Sequence, residues 1–230
     1  MKNDYQFENV VSLGWFCSVA LENQRMGLRP YSLPFDWLLI SNFESVLQLL
    51  QTHFSSFLDA KNLHQESGDP AYYHDTAYGI HYYHDFTADK SLEEQLPAVR
   101  QKYDRRISRL YETISHPTLF VRYCAYVTEM EYICSNYDAI RSQLKQYNER
   151  NEIIFIYDKD FSWRSDITAF FVKPDKGDTT ARKFLNKSKK LKQFIRKNVK
   201  CSQSTCKSRL LYLKNVMRKI KKKILNVFSS

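Results

Sequence analysis

Glycine is scarce in this chain, with 5 in 230 residues. Neither G-x-G-x-x-G nor G-x-x-x-x-G-K-[ST] occurs, which excludes the loops that cradle dinucleotides and nucleotide phosphates. No apolar run approaches a membrane span, and Met1 to Gln6 lack the apolar segment of a secretory signal. Five cysteines, odd in number and irregular in spacing, do not form a disulfide framework, so a reducing, cytoplasmic setting is expected. H-E-x-x-H and paired C-x-x-C are missing, and Cys201 and Cys206 lie in a cationic stretch unsuited to zinc. No metal and no cofactor is expected.

Acidic residues are missing altogether after Asp178, and that absence divides the chain. Residues 182–223 hold 17 of its 35 Lys and Arg, so the other 18 face all 25 acidic residues. An acidic body, residues 1–177, therefore carries a basic helical tail, residues 178–230. Beyond Cys206, Leu210, Leu213, Met217, Ile220, Ile224 and Val227 share one helical face ringed by Lys and Arg. Such a basic amphipathic helix suits an anionic membrane surface, with residues 179–230 as the contact and a peripheral position at the inner membrane. Nucleic acid is less favoured, because the tail has no stacking or base-reading module.

Hydrophobic residues make up 43% of the chain and aromatics 15%, enough for a packed core and an aromatic cleft. Val10 to Leu13 reads as a strand that meets Gly14, and residues 15–27 read as a helix stopped at Gly27. Pro30 and Pro34 make the next stretch irregular. Asn42 is placed to cap a helix over residues 43–52. Residues 61–76 are polar and contain Gly68-Asp69-Pro70, a loop signal. Alternation from Tyr78 to Asp85 predicts a strand with His84 on the face of Ile80. Leu92 to Ile114 is the clearest helix. Thr118–Tyr123, Glu152–Tyr157 and Ile167–Val172 read as strands, with a helix over 129–147. Mixed strands and helices predict an α/β or α+β body.

The chemistry is expected at Cys17. A strand-to-helix turn sets it where the positive end of a helix favours the thiolate. His84 is the candidate base and Asp36, fixed between Phe35 and Trp37, the candidate carboxylate that orients it. Asp36 equally suits a capping role or a pair with Arg29, Arg105 or Arg122. His81 and His84 with Asp75 and Asp85 offer donor atoms for a metal, without a known ligand spacing.

Taken in order, Val11-Ser12-Leu13-Gly14, Cys17, Ala20, Arg25, Leu28-Arg29, Ser32 and Pro34-Phe35-Asp36-Trp37 form one motif string. It continues through Tyr78-Gly79-Ile80, His84-Asp85-Phe86, the Tyr103 to Leu110 helix and Leu119-Phe120-Val121-Arg122. Over the first two-thirds of the chain this string resembles the DUF1796 family of papain-like cysteine peptidases. The resemblance implies a papain-like α+β fold with a mixed sheet and packed helices, with Cys17 as nucleophile and His84 as base. No glutamine precedes Cys17 between Val10 and Phe16, so a side-chain oxyanion donor of the papain type is missing. Family members also resemble proteins of surface-polysaccharide gene neighbourhoods, which brings glycan-linked substrates beside peptides.

The expected activity is a cysteine hydrolase or acyltransferase working through a thioester, with Cys17, His84 and Asp36 catalytic. Asp85, Trp37, Arg122 and Tyr82 are the expected substrate contacts. The competing expectation is a non-catalytic binder whose Tyr-rich strand lines a glycan or peptide groove while the tail holds the membrane.

Overall fold

The computed structural model describes residues 6–174, 176 and 184–199. Strand β1 (Asn9–Ser12) leads through Gly14 into helix α1 (Ser18–Arg25). Gly27, at φ 73°, closes that helix: the Leu28 N–H donates to Asn23 and the Gly27 N–H to Gln24, satisfying the last carbonyls. A 3-10 turn at Pro34–Trp37 opens β2 (Leu38–Ile40), and Asn42 Oδ1 caps α2 (Phe43–Gln51) through the Glu44 N–H at 2.9 Å. Then come β3 (Leu63–Gln65), β4 (Tyr73–Asp75), β5 (Ile80–Tyr82) and α3 (Leu92–Ile114), the last started by a Ser91–Glu94 capping box. The chain continues through β6 (Thr118–Cys124), α4 (Val127–Lys145), β7 (Glu152–Tyr157), β8 (Ala169–Phe171), α5 (Phe184–Lys187) and α6 (Lys189–Asn198).

Helices and sheets are both present, as expected, but the single mixed sheet is corrected to two sheets, each of one sense. The larger has the order β1-β6-β7-β8 and is parallel throughout; the smaller has the order β2-β5-β4-β3 and is antiparallel. The cause is the connections. Helical crossovers before β6 and β7 return the chain in the same direction, whereas the turns joining β3, β4 and β5 reverse it.

Period-two alternation sorts the parallel strands between two cores. Val11, Phe120, Ile153 and Phe155 face α2, α3, α4 and the small sheet. Val10, Leu119, Val121, Tyr123, Ile154 and Ile156 face the other way, toward α1, α5 and α6. The near-continuous apolar runs of β6 and β7 follow from burial on both faces. Phe184, Leu185, Leu191, Ile195 and Val199 belong to the second core, and Phe7 bridges to Val199. Residues 184–199, read from sequence as tail, thus pack on the body. The second basic block, from Leu210 to Val227, lies outside the described residues. Among the described residues no helix is long and apolar enough to cross a membrane.

One buried arginine ties the two sheets together. Arg122, on β6 and 0% exposed, donates to the carbonyls of Leu13 (2.9 Å) and Ile40 (2.8 Å) and to Glu129 Oε1 (2.8 Å). Its guanidinium also lies 5.3 Å from the Phe43 ring centre. Arg122→Met keeps the length but leaves two carbonyls and a carboxylate without their donor. A loss of about 3–5 kcal/mol is expected in urea unfolding followed by circular dichroism. A loss below about 1 kcal/mol, the scale of an exposed ion pair, would show that the sheets are held elsewhere.

Candidate functional site

Two groups of side chains come from the motif string, one at each side of Gly14. The first is the turn between β1 and α1. Gly14 and Trp15 both adopt positive φ, 77° and 74°. Glycine takes that conformation freely, while tryptophan does so at a cost of order 1–3 kcal/mol, a strain typical of sites held by their surroundings. A Cβ on Gly14 would meet the Phe35 carbonyl at 3.4 Å and Arg122 at 3.7 Å. The Trp15 carbonyl accepts from the Ile40 N–H at 3.1 Å, so the turn is clamped to β2.

This turn delivers Cys17, half-buried, to the N-cap position of α1. Its carbonyl accepts the Leu21 N–H, and its side chain caps nothing. The first-turn N–H groups of α1 are therefore without intrahelical partners, and they stabilise negative charge at that end. Cys17 also stands beyond the carboxyl end of a parallel strand, where open α/β sheets place their ligands. Cys124 contrasts with it: fully buried in β6, its thiol is pushed far up by burial and stays protonated.

The second group surrounds Asp36. This carboxylate, 1% exposed, accepts from Arg29 Nε at 2.7 Å and from the Leu33 N–H at 2.8 Å. Burial pushes its carboxyl above the usual range, while Arg29 and the Leu33 N–H pull the other way. Arg29 also donates to Ser32 and Gln24, and its guanidinium lies 5.0 Å over the Trp37 ring. The same indole meets the His84 ring at nearly a right angle, with ring centres 6.0 Å apart. Next in the chain, the Asp85 carboxylate accepts from Lys102 and from the Tyr103 hydroxyl (3.0 Å), and Arg106 approaches to 4.0 Å.

The structure thus brings Asp36, Trp37, His84 and Asp85 into one cluster, which joins the Cys17 turn where Phe35 lies against Gly14. Among the described residues no hydrogen bond links Cys17 to His84 or Asp36 to His84. Three expectations are corrected. β5 stops at Tyr82, so His84 lies exposed beyond the strand rather than on the face of Ile80. Arg122 and Tyr82 are both 0% exposed and cannot face a substrate; their positions lie in the interior, where the apolar alternation around them leads. The polar stretch 61–76 contains all of β3 and β4, because that sheet buries one face only. Sequence reading passed over Lys102 and the strained Trp15, and saw Arg106 beside the α3 stripe without its partner Asp85. Lys102 carried a signal, since it sits one turn before Arg106 beside that stripe.

A family model described as "Putative papain-like cysteine peptidase (DUF1796)" matches residues 8–156. The chain belongs to the DUF1796 family. The match begins just before β1 and runs to β7, so it takes in the Cys17 turn, the Asp36 cluster and Arg122. An uncharacterized protein of Acanthamoeba polyphaga mimivirus is 29% identical over 134 residues, covering 50% of this chain and 59% of its own length. The chain therefore spans less than two thirds of that relative. No solved structure matches it.

Within this DUF1796 chain the small sheet carries a further row of imidazoles. Cross-strand register sets His64 opposite His74 and His74 opposite His81. The rings of His74 and His81 stack with centres 4.4 Å apart, and His81 Nδ1 bonds Glu66. Among the described residues no three His, Cys, Asp or Glu side chains are placed to hold a metal ion. Burial first, then the His81 charge, lowers the His74 pKa below 6.5. A folded pKa below the unfolded value means that stability present above about pH 6.5 is lost as pH falls through that window. Thermal unfolding should therefore show a smaller drop in Tm between pH 7.5 and 5.5 for His74→Phe than for the parent. An equal drop in both would remove His74 as the source.

Proposed function

We propose that this chain is a cysteine-dependent acyl hydrolase or acyltransferase, with Cys17 as the nucleophile. The observation that carries this reading is the placement of Cys17: half-buried, at the open N-terminus of α1, behind a strained turn at the carboxyl end of β1. The thiolate attacks a substrate carbonyl carbon, and the first-turn N–H groups of α1 stabilise the charge that develops on oxygen. Collapse forms the thioester and breaks the C–N or C–O bond of the leaving group, which takes up a proton. Water or a second nucleophile then releases the acyl group and restores the thiol.

His84 is the proposed proton carrier, and the reading requires it to come within hydrogen-bond reach of Cys17 in the substrate complex. Asp36 acts as a positioning residue. It fixes Arg29, Arg29 stacks on Trp37, and Trp37 packs against the imidazole. Asp85, anchored by Lys102 and Tyr103, holds the loop that carries His84. The acyl donor is proposed to be a peptide or an acylated glycan, since the chemistry at Cys17 is the same for both.

Mass spectrometry of the full chain after p-nitrophenyl acetate treatment tests this. An acetyl adduct on Cys17 is expected, with His84→Ala slowing its turnover about a hundredfold and Asp36→Asn slowing it less. If iodoacetamide labels Cys17 no faster than Cys134, and Cys17→Ser keeps the turnover, the nucleophile is elsewhere.

A second reading concerns the surface. On α6, Leu191 and Ile195 are buried while Lys189, Lys190, Arg196 and Lys197 are exposed, with no ion pair to them among the described residues. We infer that this face contacts anionic lipid by charge alone, because its apolar side is already used by the core. Sedimentation with phosphatidylserine vesicles should capture the chain at low salt and release it near 0.5 M salt, where screening is short-ranged. Unchanged capture by a variant with those four residues as Gln would reject this face as the contact.

A further inference from the structure

Glu129, in the first turn of α4, is only half satisfied. Its Oε1 takes Arg122, while Oε2 is buried without a partner, and the residue is 7% exposed. Burial raises its carboxyl pKa against the pull of Arg122. An acceptor withdrawn from water and left unmatched is rare in folded proteins and calls for an explanation.

The surroundings supply one. Glu129 lines a cleft of about 220 Å³ with Ser41, Asn42, Tyr126, Thr128 and Tyr132, between the first turns of α2 and α4. The cleft opens beyond the carboxyl end of β6, the edge where parallel sheets receive ligands. Tyr126 is 51% exposed, and its ring lies 6.1 Å from that of Trp15. At the N-cap of α4 this tyrosine provides no side-chain acceptor, so among the described residues the N–H groups of that first turn have no side-chain cap.

We propose that this cleft binds a neutral ring bearing hydroxyl groups, a sugar ring. Charge selects the class. Arg122 already balances Glu129, so an ammonium would add a second cation beside a buried guanidinium. An anion drawn to the helix N-termini would meet the carboxylate. A hydroxyl donates to Oε2 without changing the charge, and the ring's other oxygens accept from the first turn of α4 and from Asn42 and Thr128. The C–H face of a sugar ring lies flat on an exposed tyrosine, as Tyr126 offers. The cleft volume is small for a ligand pocket and suits a single ring. The inference does not rest on Cys17.

Saturation-transfer NMR on the full chain, with a panel of neutral hexoses and N-acetylhexosamines, tests it. Methylammonium and acetate serve as competitors. Contact with the ring protons of at least one sugar is expected at millimolar concentration, unchanged in Cys17→Ser. Tyr126→Ala alters an exposed residue and should leave Tm unchanged while weakening that sugar about fivefold. Glu129→Gln should weaken it further, with Tm recorded because the Arg122 contact changes too. No transfer to any sugar, binding unchanged by Tyr126→Ala, or displacement by methylammonium or acetate would each overturn the proposal.

Discussion

The guanidinium of Arg122 is the contact on which both sheets depend. It sits where β1 and β2 end, and it holds the Leu13 and Ile40 carbonyls and Glu129 together. A fully buried cation is tolerated because every one of these donors is met by an acceptor in the dry interior. Its position also decides what lies above it. The Leu13 carbonyl precedes the Gly14–Trp15 turn, the Ile40 carbonyl precedes the cap of α2, and Glu129 starts α4. The Cys17 turn and the Tyr126 cleft therefore share one anchor.

The clamp explains why the candidate chemistry lies at a junction. Cys17 comes from the parallel sheet, whereas Trp37, His84 and Asp85 are attached to the antiparallel one. The first is presented by a helix N-terminus and the others by short turns, with the one holding Asp85 braced from α3 through Lys102 and Tyr103. A junction between two sheets can tighten around a ligand with small shifts, whereas residues on one sheet move as a unit. The proposed chemistry calls on that junction to close around substrate, because no hydrogen bond links Cys17 to His84 among the described residues.

Much of the fold was legible in the chain, for identifiable reasons. Leu92 to Ile114 carries a capping box and a long apolar stripe, so local chemistry and packing agree. Glu152 to Tyr157 is apolar and β-branched enough to be a strand buried on both faces. The stretch 61–76 misled because β3 and β4 expose one face and read as polar. His84 misled for the opposite reason: alternation continues past Tyr82, but the backbone turns to meet α3. Tyr82 looked like a site residue because it stands in the Tyr-rich strand, and Arg122 because it ends the motif string. Both instead serve the interior.

From its sequence alone the chain determined its long helices, the strands of its larger sheet, its family and the two halves of its motif string, because these follow from periodicity, capping and residue order. Gly14, where that string turns from strand to helix, stands at a position whose positive φ suits glycine. Tertiary structure decided what those residues touch. Only packing could turn Arg122 from a substrate contact into a clamp, pair Asp36 with Arg29, and place residues 184–199 on the second core. Such contacts join positions far apart in the chain, and their energies depend on burial, which no local pattern encodes.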